Sequence, residues 1–187
     1  MRAAHVSGFV LWFTGLPGAG KTTIASNVAP ELEQRGFVVD QLDGDIVRTH
    51  LSKGLGYSKE DRDANIARIG WVASRLARAG AVVIVSAISP YEELRRHARS
   101  LVEPHAPFVE VYVATPLEEC ARRDPKGLYA QAFAGELDDF TGVSAPYEEP
   151  SDPELRLDTS GRTPAESAEV VLARLAELNV LETRATR

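Results

Sequence analysis

Four short apolar runs alternate along the chain with longer segments in which apolar residues recur every three or four positions. The runs cover residues 9–13, 37–42, 82–85 and 108–113, and β-branched and aromatic residues make up most of them. Strands of this composition are buried on both faces, and their alternation with helices is typical of a parallel sheet between helical layers. We therefore predict an α/β fold, a three-layer sandwich with a mostly parallel sheet.

Two segments carry an apolar stripe at helical spacing, which predicts a helix packed on the core at each. The stripes consist of Ile66, Ile69, Ala73 and Leu76, and of Ala168, Leu172, Leu175 and Leu178. Three further segments place a proline directly after a hydroxyl residue and a glutamate three positions after it. This pattern predicts a capping box with the proline in the first helical position. The hydroxyl residues are Ser89, Thr115 and Thr163.

Length and charge narrow the class of protein. A chain of 187 residues is compatible with one domain over residues 1–187. It has 21 Lys and Arg against 27 Asp and Glu without a long run of one sign, which disfavours nucleic-acid and anionic-membrane partners. The longest apolar run, residues 79–88, is shorter than the ~20 residues of a membrane span. We expect a cytoplasmic protein in which residues 124–153, rich in Pro, Gly and charges, form an irregular lid.

A glycine-rich turn joins the first predicted strand to a helix and fits the pattern G-x-x-x-x-G-K-[ST], the phosphate loop of P-loop NTPases. Its glycines let the backbone approach phosphate closely, its lysine neutralises phosphate oxygens, and its threonine can ligate Mg²⁺. The turn therefore predicts an ATP and Mg²⁺ site. The residues concerned are Gly15, Leu16, Pro17, Gly18, Ala19, Gly20, Lys21, Thr22 and Thr23.

The rest of the sequence favours a small-molecule kinase over a GTPase switch. The third strand ends in Ser86 rather than in an acidic residue, and no Asn-Lys-x-Asp segment is present. Asp43, Asp45 and Arg48 follow the second strand, and strand ends in such sheets border the ligand crevice, so these residues are candidates to bind an acceptor. The alternative is that Asp45 only caps the next helix while Asp43 is exposed.

Several segments resemble adenylyl-sulfate kinase (APS kinase). They include Asp43-Gly44-Asp45 with Arg48, Leu55-Gly56-Tyr57 with Arg62 and Asn65, and Ile88-Ser89-Pro90-Tyr91. The most specific are DPKGLY at 124–129 and FTGV at 140–143, and the similarity runs in order from about residue 10 to residue 175. The resemblance implies ATP-dependent phosphorylation of the 3′-hydroxyl of adenosine 5′-phosphosulfate, a step of sulfate assimilation.

The resemblance also implies roles for individual residues. Substrate contacts would come from Arg48, Arg62 and Asn65 on the phosphosulfate and ribose, from Tyr57 and Phe140 on the adenine, from Ile88 and Ser89, and from Lys126, Gly127 and Leu128 of the lid. Asp45 would receive the hydroxyl proton, with Lys21 and Asp43 assisting. The resemblance also implies that a phosphoserine intermediate at Ser89 is an alternative. No adjacent His or Lys would activate that hydroxyl, so we favour a role in capping and substrate contact for Ser89.

Several alternatives stay open. Tyr57 could be a core residue, and Arg62 could be a surface charge paired with Asp61 or Asp63. Ala114 stands where the family usually has an acidic residue, and residues 130–133 stand where it usually has a stretch rich in Lys and Arg. The protein could instead be a kinase for another small alcohol, such as gluconate or an antibiotic, or a nucleotide-binding regulator without catalysis. The sequence also leaves open whether the protein forms a homodimer.

Overall fold

The fold is built on a parallel sheet, as the alternation of apolar runs predicts. The computed structural model describes residues 8–181. Within them five parallel strands pair in the order β2-β3-β1-β4-β5. Their bounds are β1 Val10–Thr14, β2 Val39–Asp43, β3 Val82–Ser86, β4 Phe108–Val113 and β5 Leu155–Leu157. The α/β sandwich with a parallel sheet is thus confirmed.

Helices cover both faces of the sheet. Their bounds are α1 Lys21–Gln34, α2 Gly44–His50, α3 Lys59–Arg78, α4 Glu92–Val102, α5 Leu117–Arg123, α6 Leu128–Phe133 and α7 Pro164–Glu177. Helices α1 and α7 contact each other and share one apolar cluster, whereas α3 and α4 contact each other within a second cluster. Among the described residues, no helix has the length and apolar character to cross a bilayer.

Strand β1 lies at the centre and divides the core. Leu11 and Phe13 pack in the cluster of α1 and α7, while Val10 and Trp12 pack in that of α3 and α4, because successive side chains of a strand point to opposite faces. The two predicted stripes lie on these clusters and are confirmed. All five residues of β1 are buried, so the carboxyl end of the strand, where the glycine-rich turn begins, is firmly positioned.

Only one of the three predicted capping boxes forms. Thr163 caps α7, since its hydroxyl accepts from the amide of Glu166 at 3.2 Å and the Glu166 carboxylate accepts from the amide of Thr163 at 2.7 Å. The other two predictions were wrong, because α4 begins at Glu92 and α5 at Leu117, and neither has a side-chain cap. The hydroxyls of Ser89 and Thr115 bind distant groups instead.

The lid segment is more ordered than the sequence suggests. It contains α6 and an isolated bridge between Thr141 and Ala145. The carboxylate of Asp124 accepts from the amides of Tyr129 and Ala130, both at 3.0 Å, and so caps the first turn of α6. The three-residue strand β5 was not predicted. The single-domain organisation over residues 1–187 stays a prediction, because residues 1–7, including His5, and 182–187 lie outside the described part.

Candidate active site

The glycine-rich turn lies between the end of β1 and the start of α1. Gly18 and Gly20 have φ angles of 73° and 105°, which favour glycine, and a Cβ on Gly15 would lie 2.5 Å from the carbonyl oxygen of Val113. Helix α1 has neither a side-chain cap nor an acidic residue in its first turn. Its first amides and the positive end of its dipole are therefore available to an anion, as a phosphate site requires.

Lys21 is the cation of this loop. Its side chain is nearly buried, and its ammonium donates to the carbonyls of Gly15 at 2.9 Å and Leu16 at 2.8 Å. Burial lowers the pKa of Lys21 to about 8, although Cys120, Asp43 and Asp45 raise it. A phosphate beside the ammonium would offset this desolvation, so the position suits a strongly anionic ligand.

Thr22 and Asp43 connect the turn to the end of β2. The Thr22 hydroxyl donates to Oδ2 of Asp43 at 2.7 Å, and Oδ1 of Asp43 accepts from the amide of Asp45 at 2.9 Å. Asp43 therefore caps α2, and the alternative in which Asp45 is the cap is wrong. A hydroxyl and a carboxylate so close together match the oxygen ligands of Mg²⁺, which keeps several waters and phosphate oxygens besides one or two protein groups. The residues present fit that ion.

Asp45 contacts the lid. Its carboxylate forms an ion pair with the ammonium of Lys126, and both side chains are largely exposed. The pair raises the pKa of Lys126, chiefly through the hydrogen bond. Gly127, in the left-handed region with φ 69°, and Leu128 follow at the start of α6. The lid and the Asp-Gly-Asp segment, 81 positions apart in sequence, thus lie together.

Arg48, in α2, contacts the loop between α2 and α3. Arg48 donates to the carbonyl of Gly56 at 2.7 Å, and its guanidinium lies 4.6 Å from the ring centre of Tyr57. Tyr57 is 68% exposed, so the alternative that it is a core residue is wrong. The ring is available for contact with a planar ligand.

Arg62 reaches the FTGV segment. It donates to the hydroxyl of Thr141 at 3.2 Å and to the carbonyl of Asp139, and it forms no ion pair with Asp61 or Asp63. On the next turn of α3, Asn65 is buried with its Oδ1 unpartnered among the described residues. A buried amide oxygen without a donor favours a ligand that supplies one.

Phe140 is half-buried and packs edge-on against Tyr129, with ring centres 5.0 Å apart. The Tyr129 hydroxyl in turn donates to the carbonyl of Pro17 at 2.9 Å. The ring that Phe140 contacts is therefore Tyr129, while the group over Tyr57 is Arg48. The FTGV segment is connected to the phosphate loop through Tyr129.

The comparisons with known proteins agree with this geometry. The family model described as adenylylsulphate kinase matches residues 7–158. The chain belongs to the adenylylsulphate kinase family. An adenylyl-sulfate kinase of Picosynechococcus is 53% identical over 174 residues, which cover 93% of this chain and 97% of that protein. A probable bifunctional SAT/APS kinase of Sorangium cellulosum is 52% identical over 96% of this chain, but the chain spans only 30% of that protein.

A solved structure shows the same likeness. The APS kinase of Mycobacterium tuberculosis, in complex with AMPPNP and APS, superposes with a TM-score of 0.87 and 44% identity, covering 91% of this chain and 98% of that one. Membership of the adenylylsulphate kinase family supports nucleotide binding by this chain.

Ser89 has a structural environment unlike the one that the sequence suggests. It is 1% exposed, and its hydroxyl accepts from Nε1 of Trp12 at 3.0 Å and donates to the carbonyl of Ala87 at 3.3 Å. The neighbouring carbonyl of Ile88 accepts from the Thr14 hydroxyl at 2.7 Å. No His or Lys within the described residues contacts the Ser89 hydroxyl, so none of them activates it.

The two departures from the family pattern lie at the surface of the site. Ala114 is half-buried and contributes its backbone, whose amide donates to the carbonyl of Leu157 at 2.8 Å. In α6, Ala130 and Gln131 are exposed, and Phe133 is 61% exposed with its ring 6.1 Å from that of Tyr129. An exposed aromatic ring thus lies on this face of the lid.

Sequence reasoning missed four residues that hold the site together. Thr115, Arg123 and Thr159 converge on the carbonyl of Ala19, and Arg95 binds the carbonyl of Ser89 at 2.7 Å. The sequence predicts Arg95 to be a surface charge on an amphipathic helix, yet its side chain is 1% exposed. Its partners, which include Glu110 in β4 and the carbonyls of Ser89 and Glu148, lie on other segments of the chain, so local sequence carries no signal for its burial.

Proposed function

We propose that the protein transfers the γ-phosphoryl group of ATP to the 3′-hydroxyl of adenosine 5′-phosphosulfate, giving 3′-phosphoadenosine 5′-phosphosulfate and ADP. The observation that carries the proposal is the contact of Thr22 with Asp43 at 2.7 Å, which brings the Asp-Gly-Asp segment beside the phosphate loop in a chain of the adenylylsulphate kinase family. Donor phosphate and acceptor hydroxyl can then meet in one cleft.

In the transfer, the bond between the 3′-oxygen and the γ-phosphorus forms while the bond from that phosphorus to the β,γ-bridging oxygen breaks. The hydroxyl proton passes to the carboxylate of Asp45. Because the transition state of phosphoryl transfer is loose, Asp45 mainly orients the hydroxyl until late in the transfer. Lys126, paired with Asp45, keeps that carboxylate beside the lid and supplies a positive charge near the transferring group.

On the donor side, residues 15–23 would hold the triphosphate. The backbone amides of the loop would donate to phosphate oxygens, and Lys21 would neutralise the β- and γ-phosphates. Thr22, with Asp43 beside it, would hold Mg²⁺. Bound Mg²⁺ neutralises charge that develops on the phosphate oxygens. Thr23 lies in the first turn of α1, so its amide would add to this positive region.

On the acceptor side, Arg48, Arg62 and Asn65 would bind the phosphosulfate and the ribose. Arginine forks suit an extended anion, and the unpartnered Oδ1 of Asn65 can accept from a ribose hydroxyl. The adenine would stack on Tyr57, whose exposed ring already carries the Arg48 guanidinium, with Phe140 closing the other side. The Ile88 and Ser89 backbone would line the floor of this site.

The lid residues Lys126, Gly127 and Leu128 would contact both nucleotides when α6 closes over them. We also propose Mg²⁺ as the divalent cation, a cytoplasmic location where ATP is supplied, and a homodimer as the assembly. Cell fractionation tests the location. Light scattering tests the assembly, and a mass of one chain at working concentration would contradict the homodimer.

A coupled assay tests the activity. ADP release is measured with and without adenosine 5′-phosphosulfate, and with gluconate as an alternative alcohol. We expect ADP release only with adenosine 5′-phosphosulfate, in equal amount to a product that carries its new phosphate on the 3′-oxygen. Turnover with gluconate instead would favour a different kinase, and ATP binding without turnover on either acceptor would indicate a regulator.

A further inference from the structure

Two buried hydroxyls converge on one carbonyl in the middle of the phosphate loop. The Oγ1 atoms of Thr115 and Thr159 each lie 3.1 Å from the carbonyl oxygen of Ala19, and they lie 2.7 Å from each other. Thr115 is 3% and Thr159 5% exposed. Neither belongs to the phosphate loop, since Thr115 follows β4 and Thr159 follows β5. Water cannot readily replace these contacts at such burial.

The number of hydroxyl hydrogens limits which of the two threonines donates to the Ala19 carbonyl. Arg123 is only a donor, and its Nη1 lies 2.8 Å from Oγ1 of Thr159, so that oxygen accepts from Arg123. Each hydroxyl has one hydrogen, and the two cannot donate to each other at once. Whichever threonine donates to its neighbour, the other one donates to Ala19. The Ala19 carbonyl therefore always has a hydroxyl donor.

Fixing this carbonyl also fixes the next amide. In a trans peptide the C=O and the following N–H point in opposite directions. The oxygen of the peptide between Ala19 and Gly20 is held towards Thr115 and Thr159, so the Gly20 N–H points away from them. That is the side on which the amides of a phosphate loop donate to phosphate. The φ of 105° at Gly20 is compatible with this orientation.

We propose that Thr115 and Thr159 are positioning residues for nucleotide binding, which together hold the peptide between Ala19 and Gly20 in the orientation that binds phosphate. They act through this peptide and touch no reacting atom. Arg123 orients Thr159, because it also donates to the Thr159 carbonyl at 3.1 Å. The two hydroxyls are redundant, since either alone can donate to Ala19. This inference rests on the proposed function only in requiring that the loop binds ATP.

The test uses isosteric removal of the hydroxyls in the full chain: T115V, T159V and the double variant, with T115S/T159S as the variant that keeps both hydroxyls. Dissociation constants are measured by titration calorimetry for Mg²⁺ with AMPPNP and, separately, for adenosine 5′-phosphosulfate. Thermal unfolding is recorded for each variant. T163V is the matched control, because Thr163 caps α7 and its loss lowers stability without touching the loop.

We expect each single variant to bind AMPPNP within about threefold of wild type, because the remaining hydroxyl still donates. In the double variant, Arg123 remains as a side-chain donor near the Ala19 oxygen, but its Nη1 is 3.5 Å away, so it holds the peptide only weakly. The double variant should therefore bind AMPPNP on the order of tenfold or more weakly, since a loosely held peptide spends time in orientations that do not bind, and the apparent affinity falls with the competent fraction. Affinity for adenosine 5′-phosphosulfate should stay within about twofold, and T115S/T159S and T163V should bind AMPPNP like wild type.

Three results would overturn the proposal: wild-type AMPPNP affinity in the double variant, equal losses for both ligands, or a tenfold loss in a single variant. The single variants decide the question of redundancy even where the double variant does not fold. Wild-type protein that fails to bind AMPPNP would contradict the proposed function itself. Wild-type binding with an unaffected double variant would overturn only the positioning role.

Discussion

Replacement of Arg95 by methionine should destabilise the fold strongly, although Arg95 lies on a helix rich in surface charges. Its Nε is 2.9 Å from Oε1 of Glu110, but the N–H does not point along that line, so the contact is an ion pair rather than a directed hydrogen bond. Its other nitrogens donate to the carbonyls of Ser89 and Glu148, both at 2.7 Å. Arg95→Met would leave the buried Glu110 carboxylate with Arg99, 3.5 Å away, as its remaining cation, and would remove the Arg95 donors from the two carbonyls.

Removing one partner of a buried ion pair costs about 3–5 kcal/mol. For a chain of this size, each kcal/mol lowers the melting temperature by about 2–4 °C, so we expect a drop of roughly 6–20 °C. The exposed Arg96, paired with Glu92 on the surface of the same helix, is the matched control. Arg96→Met should change stability by no more than about 0.5 kcal/mol.

The stability lost in Arg95→Met should increase as pH rises. Burial raises the pKa of Glu110, and Glu154 raises it further, while Arg95 and Arg99 lower it. Without Arg95 this pKa should rise further. The folded state then keeps a proton that the unfolded state releases, so stability is lost as pH rises from the ordinary glutamate range through the raised pKa. The deficit of Arg95→Met should therefore be smaller near pH ~5 than near pH ~7.5.

Urea unfolding of wild type, Arg95→Met, Glu110→Gln, Arg96→Met and the double variant Arg95→Met/Glu110→Gln at both pH values measures these effects. The double variant should be more stable than Arg95→Met at the higher pH, because it buries no unpaired charge. Equal stability of Arg95→Met and Arg96→Met, or a double variant as unstable as the sum of Arg95→Met and Glu110→Gln, would show that the buried charge pair does not stabilise the fold.

Three further predictions concern the site. Asp45→Asn should lower kcat by on the order of 10² to 10⁴ with a smaller effect on ATP affinity, as steady-state kinetics would measure; near-normal turnover would remove Asp45 from the mechanism. Because burial lowers the pKa of Lys21 to about 8, ATP binding should weaken as pH rises through that value and the ammonium loses its charge. Titration calorimetry in Lys21→Met should show weak binding without this pH dependence, and a persistent dependence would assign it to another group. Ser89→Ala should lower stability by about 1–3 kcal/mol, because the Trp12 N–H loses its buried acceptor, and should keep kcat within about threefold. A loss of turnover in Ser89→Ala, with phosphate on Ser89 in wild type at a competent rate, would establish the covalent route.

The sequence predicts the sheet and the phosphate loop because both depend on local patterns. Buried strands are continuous apolar runs, and the loop needs its glycines, Lys21 and Thr22 in one short segment. Strand β5 escaped prediction because its three residues, of which only Leu157 is fully buried, are too short for a pattern. It is defined by pairing with β4, which is a long-range contact.

The wrong helix starts have a common physical cause. Ser89, Thr115 and Thr163 share one local pattern, but the first two hydroxyls are used at long range: Ser89 accepts from Trp12, and Thr115 donates towards Ala19. Only Thr163 has no competing tertiary partner for its capping role. Tertiary contacts thus override a local signal where the residue becomes buried.

The candidate site was predictable as a set of residues but not as a set of contacts. The resemblance picked out Asp45, Arg62 and Lys126, whereas the pairing of Asp45 with Lys126 and of Arg62 with Thr141 depends on how the lid folds back. Order in the lid could have been partly anticipated, since Asp124 three residues before a glycine can cap the helix that follows.

The most direct measurement of the central claim is a crystal structure with Mg²⁺, AMPPNP and adenosine 5′-phosphosulfate bound together. The proposed mechanism places the 3′-oxygen within hydrogen-bond reach of Asp45 and about 3–3.5 Å from the γ-phosphorus, in line with the bond that would break. A closed lid with the 3′-oxygen remote from both Asp45 and the γ-phosphorus would contradict it.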